Sequence, residues 1–172
     1  MLGVSRTAVV CAGLLAMHTG ISPGQQLAAP DYSADPRLQR LRDFFNDFQA
    51  PAYAFATDFL AAADRHGLDW RLLPSVSILE SGGGKAFMRN NILGWDSCRT
   101  GFPSVPAGVE TVAARLAHSK LYKNKDLNQK LAVYNPRREY PGRVRALMQR
   151  LGPDPSLTPL RDRRFGAPHS LH

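Results

Sequence analysis

Prolines at positions 36, 51, 106 and 141 each stand at the head of a run whose apolar residues recur three and four positions apart. That arrangement restricts the chain to helices, because proline has no N–H and is tolerated in a helix only in the first turn, where the amide lacks an intrahelical partner anyway. Asp35 before Pro36 supplies a capping oxygen, and Leu38, Leu41, Phe45 and Phe48 follow at helical spacing. Pro51 opens a run with Phe55, Phe59 and Ala63 on one face, and Gly67 stands where a helix-terminating glycine belongs. A third helix is expected from near Asp69, with Leu72, Val76 and Leu79 on one stripe, Pro74 confined to its first turns, and an end at Glu80-Ser81-Gly82.

Farther along, Ser104 and Pro106 start a run carrying Val109, Val112 and Leu116 toward Tyr122. Asp126 caps a short helix with Leu127, Leu131 and Tyr134 on one face, stopped by Pro136, and Pro141 opens the last, with Val144, Leu147, Met148 and Leu151 buried. No alternating Val/Ile/Thr segment of strand length occurs, so the expected fold class is mainly α. The 44% hydrophobic and 21% charged residues of the 172-residue chain are the mixture of one soluble globular domain.

The ends read differently from this middle. Residues 1–29 carry Arg6, an apolar stretch from Thr7 to Met17 and a small polar region, the layout of a secretory signal peptide, and the apolar stretch is too short for a bilayer span of ~20 residues. Export to the periplasm, cell envelope or extracellular space is the expectation. Cys98 would then be the one cysteine remaining, a small structural residue with no partner for a disulfide. Residues 152–172 are rich in Pro and Arg without periodicity and read as a disordered or loosely packed basic tail.

Loss of Arg6 with the leader takes 22 basic residues to 21 against 14 acidic, a net +7. Ten Lys and Arg lie between Arg115 and Arg150 against only Asp126 and Glu139. Such a half attracts polyanions, and for an exported protein anionic cell-wall polymers outrank nucleic acid, which is not expected as a partner.

Against this background SILESGGGK, residues 77–85, is unusual. The chain has eleven Asp but only three Glu, and one of the three ends an apolar helix before three glycines. A carboxylate in the last turn faces the negative end of the helix dipole, where a cation is favoured. The dipole and partial burial both favour the neutral form, the form that a general acid uses. Gly82, Gly83 and Gly84 are expected to let the backbone turn sharply and to clear space on one side of the carboxylate. By spacing alone, a flexible loop after a helix that happens to contain Glu explains the segment equally well.

From about Phe59 to Met148 the chain resembles the glucosaminidase-type peptidoglycan hydrolases, named for mannosyl-glycoprotein endo-β-N-acetylglucosaminidase, of the lysozyme-like superfamily. The resemblance is carried by Gly67-Leu68-Asp69-Trp70-Arg71-Leu72-Leu73-Pro74, Leu79-Glu80-Ser81 with Gly84-Lys85, Asn90-Asn91, Gly94-Trp95, Gly108-Val109-Glu110 and Val133-Tyr134-Asn135-Pro136. It implies a lysozyme-like helical domain over residues 30–151 with a glycan-binding cleft, a monomer without cofactor, and peptidoglycan glycan strands as substrate. Residue by residue, it makes Glu80 the catalytic acid and Tyr134 a second catalytic group, with Ser81, Asn91, Trp95 and Asn135 as substrate-binding positions. Ile92-Leu93-Gly94-Trp95 departs from the Gly-Leu-Met-Gln stretch usual in lytic transglycosylases, and the triple glycine is more open than the loop common after Glu-Ser in the superfamily.

Cleavage of a glycosidic bond needs a proton on the leaving oxygen, and most glycosidases add a second carboxylate. Asp96, Glu110 and Glu139 are the candidates. Asp96 either reaches the cleft or caps a turn, Glu110 fits the first turn of a helix, and Glu139 among arginines fits a surface ion pair. With none compelling, the substrate's own N-acetyl group or 6-hydroxyl is the expected second participant, which leaves a lytic transglycosylase as the alternative within the fold and a non-catalytic wall-binding module as the alternative outside enzymes. Tyr134 and Asn135 have simpler readings as a core residue and a helix stop, Trp95 is either a sugar platform or a core anchor, and Ser81 and Lys85 also fit loop support. His66, His118, His169 and His172 lack ligand spacing, so no metal is expected.

Overall fold

A computed structural model of the chain describes residues 30–153; the expected leader and most of the expected tail lie outside the described residues. Six α-helices follow one another: α1 (Pro36–Asp47), α2 (Ala56–His66), α3 (Leu72–Ser81), α4 (Val105–His118), α5 (Leu127–Tyr134) and α6 (Tyr140–Arg150). Short 3-10 turns at Pro51–Phe55 and Trp95–Cys98 complete the secondary structure, and the described residues contain no strand. The fold is mainly α. Among the described residues no helix is long and apolar enough to cross a membrane.

Three of the six helices, α1, α4 and α5, begin at a side-chain cap. The Asp35 carboxylate accepts from the Arg37 N–H at 2.8 Å, Ser104 Oγ from the Ala107 N–H at 3.3 Å, and Asp126 with Gln129 forms a reciprocal capping box. Two boundaries differ from expectation. Pro51 heads a 3-10 turn rather than α2 itself, and α4 ends at His118 because Ser119 is extended, so Tyr122 is buried from the following turn and not from the helix.

The core forms where α2 lies along α4 and α3 lies against α6. Leu41, Phe45, Phe59, Leu60, Val76, Val109, Val112 and Val144 are sealed from solvent, and a chain of ring contacts links Phe48, Phe44, Phe45 and Phe59 between α1 and α2. Each such side chain contributes on the order of 1.5–3 kcal/mol by leaving water. Across the α1–α2 edge, Arg37 pairs with both Asp35 and Asp64, and Tyr32 Oη donates to Asp64 at 3.1 Å.

The glycine run after α3 is part of this packing. Gly82 ends the helix with φ 62°, and Gly83, at φ 66°, donates to the Ser77 carbonyl at 2.9 Å while accepting from the Ala52 N–H at 2.9 Å. A Cβ on Gly83 would lie 2.6 Å from the Ala50 Cβ and 2.9 Å from the Ile78 Cδ1. The glycines therefore let the chain dock on the turn that opens at Pro51; they do not open a space beside Glu80, as the spacing had suggested.

Two outcomes follow. Gly83→Ala adds a methyl where there is no room, in a backbone region unfavourable to side chains, and should cost about 1–3 kcal/mol in urea denaturation. The Arg37 guanidinium, chiefly through its side-chain hydrogen bond, holds the Asp35 carboxyl below the ordinary range against the opposing effect of burial. A depressed folded-state value means that the stabilisation is complete above the unfolded value of about 4 and disappears as pH falls through the folded one. The stability gap between wild type and Asp35→Asn, which retains a helix cap, should therefore narrow in urea melts as pH is lowered from 7 toward 2.

Candidate active site

Glu80 lies in the last turn of α3, half-buried, at a cavity of about 560 Å³. Its neighbours in the cavity wall come from the Gly94–Thr100 loop, the turn after α4 at Leu121-Tyr122, and the end of α5 from Val133 to Arg137. Gly94 has φ 66°, and a Cβ there would lie 2.6 Å from Glu80 Oε2. This glycine, not the run at 82–84, leaves room for the carboxylate, and none of Gly82, Gly83 and Gly84 lines the cavity.

The other carboxylate oxygen is held from α6. The Tyr140 hydroxyl donates to Glu80 Oε1 at 2.7 Å, a contact that stabilises negative charge at a position the helix dipole disfavours. Burial first, and then the Glu80 hydrogen bond and charge, push the Tyr140 hydroxyl up beyond any working pH, so it remains a donor. Tyr140 is not marked as a site residue by any local motif, since it stands directly before the helix-opening Pro141. A signal is present nonetheless, since Tyr140, Val144 and Met148 lie on the buried stripe of α6 at helical spacing, with Leu151 continuing it just past the helix end.

Tyr134 lines the same cavity with Glu80, but its hydroxyl donates to the Leu93 carbonyl. Its ring is stacked parallel to Tyr140 with centroids 6.2 Å apart and meets Trp95 edge-on at 5.7 Å. Burial, with a smaller contribution from Glu80, raises the Tyr134 hydroxyl well above the ordinary phenol range. The expected second catalytic group is thus committed to holding the loop that carries Gly94, and the geometry makes Tyr134 a positioning residue. Trp95 is half-buried, contacts Tyr122 as well as Tyr134, and lines the cavity, which combines the anchor and platform readings.

Two expected substrate-binding residues have other work. Ser81 is 6% exposed; its hydroxyl donates to the Ile92 carbonyl at 2.7 Å, has the Ser77 carbonyl at 3.1 Å, and accepts from the Gly84 N–H at 2.9 Å. Asn91 is 1% exposed; its amide donates to the carbonyls of Trp95 and Thr100 and accepts from the Trp95 N–H. Neither has a polar atom left for a ligand. Asn135, at the end of α5, does line the cavity and accepts from the Arg137 N–H at 3.2 Å.

Of the three candidate second carboxylates, only Asp96 lines the cavity, and it is engaged by Arg99 at 2.6 Å and Thr100 at 3.1 Å. It begins three consecutive left-handed residues, Asp96, Ser97 and Cys98, with φ between 51° and 60°. Such a run costs roughly 1–2 kcal/mol per residue and is held in place by the Asn91 hydrogen bonds. Glu110 is the sixth residue of α4, not in its first turn, and bridges to Arg65 and His66 of α2 at 2.7 and 2.8 Å. Glu139 is exposed and makes no ion pair among the described residues. His66 also meets His118 at 3.0 Å, outside the cavity, and no group of three or more His, Cys, Asp and Glu among the described residues is placed to hold a metal.

The chain matches no family model, no curated protein and no solved structure. The site presents a carboxylate without an ion-pair partner among the described residues, one oxygen oriented by a buried phenol, at a cavity with aromatic and amide walls.

Removal of the Tyr140 hydroxyl in Tyr140→Phe should cost about 1.5–3 kcal/mol in chemical denaturation, the range for a hydrogen bond to a charged group, while the ring stack on Tyr134 persists. Gly94→Ala combines the left-handed backbone with the clash at Oε2 and should cost more, with Glu80 displaced in a crystal structure of the variant.

Proposed function

We propose that the protein is an exported peptidoglycan hydrolase that cleaves β-1,4 bonds of the glycan strand in the manner of an N-acetylglucosaminidase, through a lysozyme-like cleft with Glu80 as its only protein acid. The observation that carries this reading is the environment of Glu80: a carboxyl at a cavity of about 560 Å³, within the range of small-molecule sites, with the Tyr140 hydroxyl on one oxygen and Gly94, bare of a side chain, packed against the other.

The proton leaves from Oε2, the oxygen that Tyr140 does not hold. As the glycosidic bond breaks and the proton passes to the leaving oxygen, charge develops on the carboxylate, and the Tyr140 hydroxyl is already in place to stabilise it. Asp96 is tied to Arg99 and Thr100. The second task, stabilising the anomeric carbon, accordingly falls to the substrate, whose acetamido oxygen attacks that carbon from within the same sugar. Water, giving a proton back to the Glu80 carboxylate, then opens the resulting ring and leaves a reducing end with the acid restored. If the sugar's 6-hydroxyl attacked instead, the same acid would give an anhydro end, the lytic transglycosylase outcome. Trp95 offers an aromatic face to a sugar and Asn135 an amide to an acetamide group.

The mature protein and a Glu80→Gln variant, incubated with purified peptidoglycan and assayed by mass spectrometry, decide among these outcomes. Wild type should release reducing-end fragments, and Glu80→Gln should be slower by about 10²–10⁴ or more, the range for loss of a general acid. Anhydro ends would assign transglycosylation. Equal inertness of the two proteins with binding retained would leave a wall-binding module.

A further inference from the structure

Arg137 is the one cationic residue among those that line the cavity. Its backbone is fixed by Pro136 before it and by the bond from its N–H to Asn135, so the residue is carried at the rim on a stiff segment. Its side chain is exposed and makes no ion pair among the described residues. Asp96 on the same rim is engaged by Arg99 and Thr100, and neither Asp96 nor Glu80 forms an ion pair with Arg137. A guanidinium without a counter-charge at the edge of a cleft is a ready partner for a planar anion, which it binds through paired N–H donors.

Resting on the hydrolase reading above, we propose that Arg137 is a specificity-determining residue that recognises a carboxylate carried on a side branch of the glycan. The protein thereby prefers an acidic, branch-bearing glycan over a neutral polymer of N-acetylglucosamine. In peptidoglycan such a carboxylate belongs either to the lactyl ether, when the branch is bare, or to the stem peptide, when the lactyl group is consumed in an amide bond. Both present the same group to the guanidinium. The neighbouring Arg138 is also exposed but does not line the cavity, so the preference belongs to one position and not to the basic surface at large.

The experiment measures binding in the Glu80→Gln background, where the ligand persists. The ligands are soluble glycan strands with stem peptides, the same strands stripped of peptide, and a neutral chitin oligosaccharide of equal length. The acidic strands should bind about threefold to tenfold more tightly than the neutral one, with an advantage that shrinks as salt is added, as an exposed charge-assisted contact requires. Addition of Arg137→Ala should remove the advantage, whereas Arg138→Ala should preserve it; the stripped strands show whether the lactyl group or the peptide supplies the carboxylate. The proposal is overturned if no ligand binds, if the acidic strands show no advantage, if the advantage survives Arg137→Ala, or if Arg138→Ala abolishes it equally. Wild-type cleavage of the same glycans is scored separately, so failure of the hydrolase reading and failure of the Arg137 assignment are distinguishable.

Discussion

The hydroxyl of Ser81, buried at the end of α3, holds three pieces of backbone together. It reaches the Ser77 carbonyl within the helix, the Ile92 carbonyl in the following loop and the Gly84 N–H in the glycine turn. A buried polar group must find partners, and the partners it finds here fix where the chain goes. Because Ile92 is tied to the helix end, Gly94 arrives against the Glu80 carboxylate. Asn91 extends the same arrangement to Trp95 and Thr100, so two buried polar side chains, together with Tyr134 on the Leu93 carbonyl, hold the loop along one side of the cavity.

A cluster of aromatic rings packs against this loop. Tyr140 on α6 and Tyr134 on α5 stack in parallel, Trp95 meets Tyr134 edge-on, and Tyr122 closes the group. The two hydroxyls have distinct roles, one on Glu80 and one on the Leu93 carbonyl. Burial, reinforced by the charge of Glu80, keeps both phenols protonated. They therefore act as fixed donors, and the unfavourable dipole at the end of α3 is offset by a hydrogen bond supplied from 60 residues away in the chain.

Helix boundaries were legible where a local device sets them. Asp35, Ser104 and Asp126 cap as read, and Gly67 and Gly82 terminate helices in the left-handed conformation. Glu80 was legible for a similar reason: a lone glutamate at the wrong end of an apolar helix is a conflict visible within ten residues. The role of the glycine run is not legible in sequence, because glycine serves both open space and close packing, and only the approach of Ala50 and Ile78 to Gly83 distinguishes them. Ser81 and Asn91 were assigned to substrate for a comparable reason, since a polar side chain beside an acid looks the same in sequence whether it faces a ligand or a carbonyl.

The sequence by itself determined the mainly α architecture, the helix ends that a local cap or glycine sets, and the placement of a glutamate at the end of an apolar helix, because capping, proline placement and apolar period are all properties of short segments. Tertiary structure decided what surrounds that acid. Gly94, Tyr140 and the committed state of Asp96 depend on contacts between segments far apart in the chain, and no periodicity encodes which of two chemically equivalent neighbours will meet. The tertiary fold likewise drew His66 and Glu110 together across α2 and α4, where each had been read alone.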